Sequence, residues 1–125
     1  MKLSKYKNRK ITVGGEEFDS QREYERWQQL RLLERAGKIS TLFRQVSFEL
    51  IPAQYETVER ISEKTGKRLK DQMRCVEQKC CYVADFVYWK DGQMVVEDAK
   101  GVRTDAYIIK RKLMLKEHGI RIREV

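Results

Sequence analysis

The chain has 125 residues, 41% of them apolar, which suits one compact domain with a single core. It is also 37% charged, and its 27 Lys and Arg against 19 Asp and Glu give a net charge of +8, which favours a polyanionic partner. No stretch approaches the ~18 consecutive apolar residues of a membrane helix, and the basic start lacks the apolar segment of a secretory signal, so neither a membrane nor a secreted location is expected.

Residues 1–15 carry Lys2, Lys5, Lys7, Arg9 and Lys10, contain no acid, and end in Gly14-Gly15. This composition predicts a basic arm, with at most a short strand, followed by a turn. Lys5, Lys7, Arg9 and Lys10 are candidate phosphate contacts, although a solvated tail without a partner has the same composition.

A helix is expected next. Ser20 and Glu23 have capping-box spacing, Phe18 stands ahead of the cap, and Gly37 follows the last periodic residue. Tyr24, Trp27, Leu30 and Leu33 form one stripe, and Glu23 lies near its middle. A carboxylate on a buried helix face needs a reason beyond capping.

Residues 41–51 predict a strand ended by Pro52, the only proline. Residues 55–61 predict a second strand, Glu63 to Lys67 a turn, and residues 67–79 the return strand of a projecting hairpin insertion around 55–80. Cys75, Cys80 and Cys81 are odd in number and lack C-x2-C spacing. They read as small half-buried thiols in a reducing cytoplasm rather than a disulfide framework or a zinc site with His118.

Tyr82 to Trp89 is rich in aromatic and β-branched residues and predicts a strand. Asp91-Gly92 is a two-residue hairpin turn, and Gln93 to Lys100 returns as the partner strand. Gly101 ends it. Thr104 or Asp105 caps a second helix that stops at Gly119, and residues 120–125 alternate as a last strand, expected parallel to 93–100. The fold class expected is α/β, in the order α-β-β-β-α-β, with one mixed sheet flanked by helices in a single domain spanning 1–125.

The hairpin can be worked in register. With Asp91 and Gly92 in the loop, Trp89 faces Met94, Val87 faces Val96 and Asp85 faces Asp98. Asp85, Asp98 and Lys100 then share a face with Val83, Val87 and Val96, while Glu97 points away with Phe86. Two opposed carboxylates on a buried strand pair call for a proton or a cation between them. Oxygen ligands in this number suit Mg2+ or Mn2+. Two acids, a lysine and a basic protein around them suit phosphodiester cleavage: the metal polarises the phosphate and activates water, and the lysine stabilises developing charge. The competing explanation is a structural Asp85–Lys100 salt bridge that fixes register.

The pattern Asp85, then Asp98-Ala99-Lys100 across a tight hairpin, after a helix bearing Glu23, resembles the PD-(D/E)xK nuclease superfamily. The phrases YKNRKITVGGEEFDSQREYERW, YVADFVYW and VVEDAKG are similar to a family of small phage-encoded proteins within it, related to recombination nucleases and Holliday-junction resolvases. The resemblance implies a restriction-endonuclease-like core and a metal-dependent DNA endonuclease selective for branched or junction DNA. A catalytically inactive DNA-binding accessory of recombination or packaging is the alternative. It implies that Asp85, Asp98 and the Ala99 backbone carbonyl hold Mg2+ or Mn2+, that Glu23 joins them directly or through water, and that Lys100 acts on the attacking water. The naming proline is replaced by Ala84. Gln45, Tyr107 and Lys110 are secondary DNA-contact candidates. The implied partner is DNA, not a membrane, in the host cytoplasm for a phage protein. A homodimer is compatible, since resolving a junction calls for two active sites.

Overall fold

The computed structural model describes residues 10–99 and 101–125. Lys5, Lys7, Arg9 and Lys100 lie outside the described residues. The chain opens with a small hairpin, β1 (Ile11–Val13) and β2 (Glu16–Phe18). Its turn places Gly14 and Gly15 at φ +60 and +83, a pair of left-handed positions that favours glycine. The short strand and the turn expected here are both present, and β2 pairs that strand into a hairpin.

Helix α1 (Gln21–Arg35) starts where Ser20 Oγ accepts from the Glu23 N–H at 3.1 Å. It stops at left-handed Gly37, where the Lys38 N–H returns to the Leu33 carbonyl at 2.9 Å. Strands β3 (Ser40–Ile51), β6 (Cys80–Lys90), β7 (Gln93–Asp98) and β8 (Arg123–Glu124) form one mixed sheet in the order β3-β6-β7-β8. β3, β6 and β7 are antiparallel, and β8 joins β7 in parallel after helix α2 (Asp105–His118). The expected last strand is short, confined to two residues. Strands β4 (Gln54–Ile61) and β5 (Arg68–Glu77) form a separate two-stranded ribbon between β3 and β6. Among the described residues, no helix is long and apolar enough to cross a membrane.

The two helices flank the sheet and define two cores. Leu30 of α1 packs with Ile39, Phe86 and Tyr88, joined by Trp27, Leu42, Val95 and Ala99. Tyr107 and Met114 of α2 pack with Leu50, Tyr82, Ala84, Val87 and Val96. The hairpin register runs as the turn predicts, with Trp89 opposite Met94, Val87 opposite Val96 and Phe86 opposite Glu97. Asp91 and Gly92 take φ +51 and +76, the left-handed pair of that turn.

One departure from simple alternation positions the site. On β6, Ala84 lies in the α2-side core, yet Phe86, two residues on, lies in the α1-side core. On β3, Val46 packs on the α2 side, whereas Arg44 reaches Phe18 and Trp27 on the α1 side. The ladder keeps its register through this point, from Arg44↔Phe86 to Val46↔Ala84. Gln45 and Asp85 sit between, and Gln45 has a left-handed backbone at φ +52. A non-glycine residue in that region costs energy and rotates the strand, exchanging which residues face which helix. Val83 is therefore exposed rather than sharing a buried face with Val87 and Val96, a correction to the alternation read from the sequence.

Candidate functional site

Glu23 sits in the first turn of α1 and is only 2% exposed. The cap is half of a capping box: the side chain of Glu23 returns to the N–H of Asp19 at 3.0 Å, one residue before the cap. Its other oxygen, Oε1, accepts from Gln45 Nε2 at 2.9 Å and from Arg44 Nη2 at 3.3 Å. Arg44 is itself held over the Phe18 ring at 3.8 Å and donates to the Glu17 carbonyl at 2.9 Å. The buried acid of the helix stripe thus caps the helix and also faces the strand crossover.

Asp85 approaches the same point from β6. Its Oδ1 accepts from the Gln45 amide at 3.3 Å, and its Oδ2 accepts from the Ala99 N–H at 2.9 Å. Gln45 therefore bridges a helix carboxylate and a strand carboxylate with one NH2 group. Ligand oxygens of Asp19, Glu23 and Asp85 all lie within 4.8 Å of one another. The Asp85 carboxyl is pushed up to about 7, chiefly by burial, then by the charges of Asp98 and Glu23. The Ala99 and Gln45 donors offset only part of that rise.

Asp98, at the end of β7, is 3% exposed and accepts from the Tyr82 hydroxyl at 2.5 Å. It lies close enough to Asp85 for its charge to raise the Asp85 proton affinity. Burial, then the Asp98 bond, raises the proton affinity of Tyr82 in turn, so Tyr82 remains a donor. Glu97 is fully buried on the α1 side, as the register predicts. There it accepts two bonds from Arg26, Nε at 2.8 Å and Nη2 at 2.7 Å, and a third from the Tyr88 hydroxyl. The hydrogen bond to Glu97 is the main reason the Arg26 guanidinium holds its proton more tightly than usual.

The fold thus gathers Glu23, Asp85 and Gln45 at one point with Asp19, while Asp98 stands outside the group of oxygens within 4.8 Å and acts on Asp85 through its charge. Ala99 contributes its N–H to Asp85. Gln45 joins the carboxylates, donating to both Glu23 and Asp85. Tyr107 is 4% exposed and 6.3 Å from the Tyr82 ring, so it is a core residue rather than an open contact. Lys110 is half-buried one turn later, and Lys10 is exposed and pairs with Glu17 at 3.3 Å. Asp19 and Arg44 were missed by sequence reasoning. Asp19 had a signal: it adjoins the Ser20 cap, where negative charge is favoured by the helix N-terminus. Arg44 had none, because strand alternation cannot say which residue beside a left-handed position turns toward the helix. The three cysteines are free, and His118 bonds to the Glu49 carbonyl at 2.6 Å.

A family model described as a protein of unknown function, DUF1064, matches residues 3–123, and the chain belongs to that family. No curated protein and no solved structure matches it.

Proposed function

For this member of the DUF1064 family we propose a metal-dependent nuclease that hydrolyses phosphodiester bonds in DNA, built on a restriction-endonuclease-like core. The observation that carries this reading is the meeting of Glu23, Asp85 and Asp19, whose oxygens lie within 4.8 Å of one another, with the charge of Asp98 felt at Asp85. The order α1-β3-β6-β7-α2-β8, with the ribbon as an insertion, agrees with the arrangement the PD-(D/E)xK resemblance implies. The net charge of +8 suits a polyanionic substrate.

The donor set is made of hard oxygens, which fits Mg2+ or Mn2+ and not a soft metal. Asp85, Asp98 and Glu23 would hold the ion, with the Ala99 carbonyl, and Asp19 is the added candidate. When bound, such an ion polarises a phosphate and makes water a better nucleophile. The chain's own residues prepare the site. Gln45 and the Ala99 N–H orient Asp85. Tyr82 fixes one oxygen of Asp98. Lys100, two positions after Asp98 and outside the described residues, is assigned by the motif to the developing charge on water and phosphate. Branched or junction DNA in phage recombination, within the host cytoplasm, is the substrate class the resemblance favours.

A second reading, a DNA-binding accessory without catalysis, draws on Arg44, which already sets a cation 3.3 Å from Glu23. A cleavage panel over duplex, nicked, flap and four-way-junction DNA with Mg2+, Mn2+ and Ca2+ separates the two. Cleavage with Mg2+ or Mn2+, and binding with little cleavage in Ca2+, is expected. DNA binding with no cleavage in any metal supports the accessory, and full activity in excess chelator removes the metal mechanism.

A further inference from the structure

Between the β1–β2 hairpin and α1 lies a cavity of about 460 Å3 that the nuclease reading leaves unused. Its size falls within the ~300–1,000 Å3 of small-ligand pockets. Its walls are aromatic. Phe18 is buried, and its ring meets that of Tyr24 edge-on at 5.1 Å. Tyr24 and Trp27, half-buried and one helical turn apart, line the cavity from α1. The rim is polar and exposed, made by Glu16, Gln28 and Arg31. The Gln28 amide donates to the Tyr24 hydroxyl oxygen at 2.9 Å, and the Arg31 guanidinium stands 5.8 Å from the centre of the Trp27 ring. A second cavity of about 210 Å3 continues along α1 from Gln28 and Arg31 to Leu32 and Arg35, lined by two arginines and no acid.

The chemistry of this lining selects its occupant. An aliphatic group would use the walls and leave the amide and the carboxylate of the rim without partners. A nucleobase uses every part. Its flat face stacks on tyrosine, tryptophan or a guanidinium plane. Its edge carries donors and acceptors of the kind that glutamine and glutamate side chains pair with, the exocyclic amino group above all. The phosphates on either side of it suit Arg31 and the Arg35 of the adjoining cavity. A base paired inside a duplex has no free face to offer, so the occupant that fits is an unpaired one.

The cavity also shares a wall with the acid cluster. Phe18 and Tyr24 line the cavity, while Asp19 and Glu23, next to them in the chain, supply oxygens of the cluster. Arg44 touches both, 3.8 Å over the Phe18 ring and 3.3 Å from Glu23. A strand that seats a base in the cavity therefore has its backbone beside the acids. We propose that the cavity of Phe18, Tyr24 and Trp27 binds an unpaired nucleobase of a DNA strand, with Arg31 and Arg35 on the phosphates next to it. The proposal takes DNA as the partner from the nuclease reading, but it does not depend on cleavage.

Trp27 and Trp89 are the two tryptophans of the chain, so the full chain with Trp89→Phe has Trp27 as its one reporter. In excess chelator a short oligodeoxyadenylate should quench Trp27 emission, and an abasic strand of the same length and charge should not. Tyr24→Leu keeps apolar bulk but removes a stacking ring, and it should raise the dissociation constant for the adenine strand by about tenfold. Gln28→Ala, at an exposed position, should raise it by about fivefold. Neither should change affinity for the abasic strand, and melting temperatures check that both variants fold. Arg31→Ala should weaken both strands alike and lower the slope of log affinity against log salt by about one. Equal affinity for the adenine and abasic strands overturns the proposal, and so does a loss in Tyr24→Leu and Gln28→Ala that the abasic strand reproduces. Quenching by free dAMP that the adenine strand does not match would make this a free-nucleotide site, which also overturns it. A base preference without cleavage in any metal would remove the nuclease reading alone, and metal-dependent cleavage without a base preference would remove the pocket alone.

Discussion

Two groups of buried acid flank the same sheet and are treated in opposite ways. Glu97 receives a bidentate guanidinium from Arg26 and a hydroxyl from Tyr88, so its charge is matched within the protein. Glu23, Asp85 and Asp98 receive the Gln45 amide, the backbone N–H groups of Asp19 and Ala99, the Tyr82 hydroxyl and, at Glu23, Arg44 at 3.3 Å. The first group is a structural ion pair that closes on itself. In the second, Asp85 accepts from neutral donors, Gln45 and the Ala99 N–H, and its proton affinity rises, chiefly by burial and then by the charges of Asp98 and Glu23. A burial pattern alone would not distinguish them, because Glu97 is at 0% exposure and Asp98 at 3%. What distinguishes them is the donor each meets: a bidentate guanidinium at Glu97, neutral amide donors at Asp85.

The largest expected effect tests the second group. Asp85→Asn and Asp98→Asn should each reduce Mg2+-dependent cleavage at least about a hundredfold, beyond the loss typical of residues that only orient ligands. Melting temperature in chelator should not fall for Asp85→Asn, since one of several crowded charges is removed. Glu97→Gln should do the reverse. Arg26 would keep its charge without its partner, costing about 2–3 kcal/mol, below the ~3–5 of a fully buried pair because Arg26 retains some contact with water. Cleavage per folded molecule should survive. Equal loss of specific activity from Glu97→Gln and Asp98→Asn would erase the contrast between the two groups.

A pH titration sharpens the comparison. The Asp85 carboxyl holds its proton up to about 7 in the folded chain, against an ordinary value of 3.8. Between those values the folded state binds a proton that the unfolded chain has released. Metal-free stability should therefore fall as pH rises from about 4 to about 8, by about 2–4 kcal/mol if Asp85 dominates. Denaturant melts should show this slope in the wild type, and a flatter one in Asp85→Asn and in saturating Mg2+. A slope untouched by Asp85→Asn would assign the effect to another group.

A smaller effect separates the backbone of Gln45 from its amide. Gln45→Gly suits φ +52, whereas Gln45→Ala retains the strain, so the glycine variant should be the more stable by about 1 kcal/mol. Both remove the donor shared by Glu23 and Asp85, and both should alter Mn2+ affinity alike. The smallest effect concerns the arm. Removing residues 1–10 should lower the slope of log DNA affinity against log salt by a few phosphate contacts at most, without altering either acid group.

Much of this layout was legible because the rules behind it act over a few residues. Ser20 and Gly37 bound α1 because a hydroxyl satisfies a free N–H at one end and glycine alone takes the left-handed turn cheaply at the other. Asp91-Gly92 sets the hairpin, and a two-residue turn dictates every pair from Lys90↔Gln93 to Phe86↔Glu97. That register sends Glu97 to the face of Phe86, away from Val87 and Val96. The carboxylate on the helix stripe, Glu23, announced itself because a charge there needs a partner.

The tertiary structure alone decided which partners these groups found. The left-handed backbone of Gln45 exchanges the faces of β3 and β6 beside Asp85, which exposes Val83 and turns Arg44 toward α1. Gln45 then joins Glu23 to Asp85, Asp19 enters the cluster, and Tyr107 withdraws into the core. Local propensity contains none of this. Alternation and turn chemistry specify where a side chain points relative to its own strand, whereas a bridge from helix to strand depends on how two elements pack, and many sequences with the same pattern could pack otherwise.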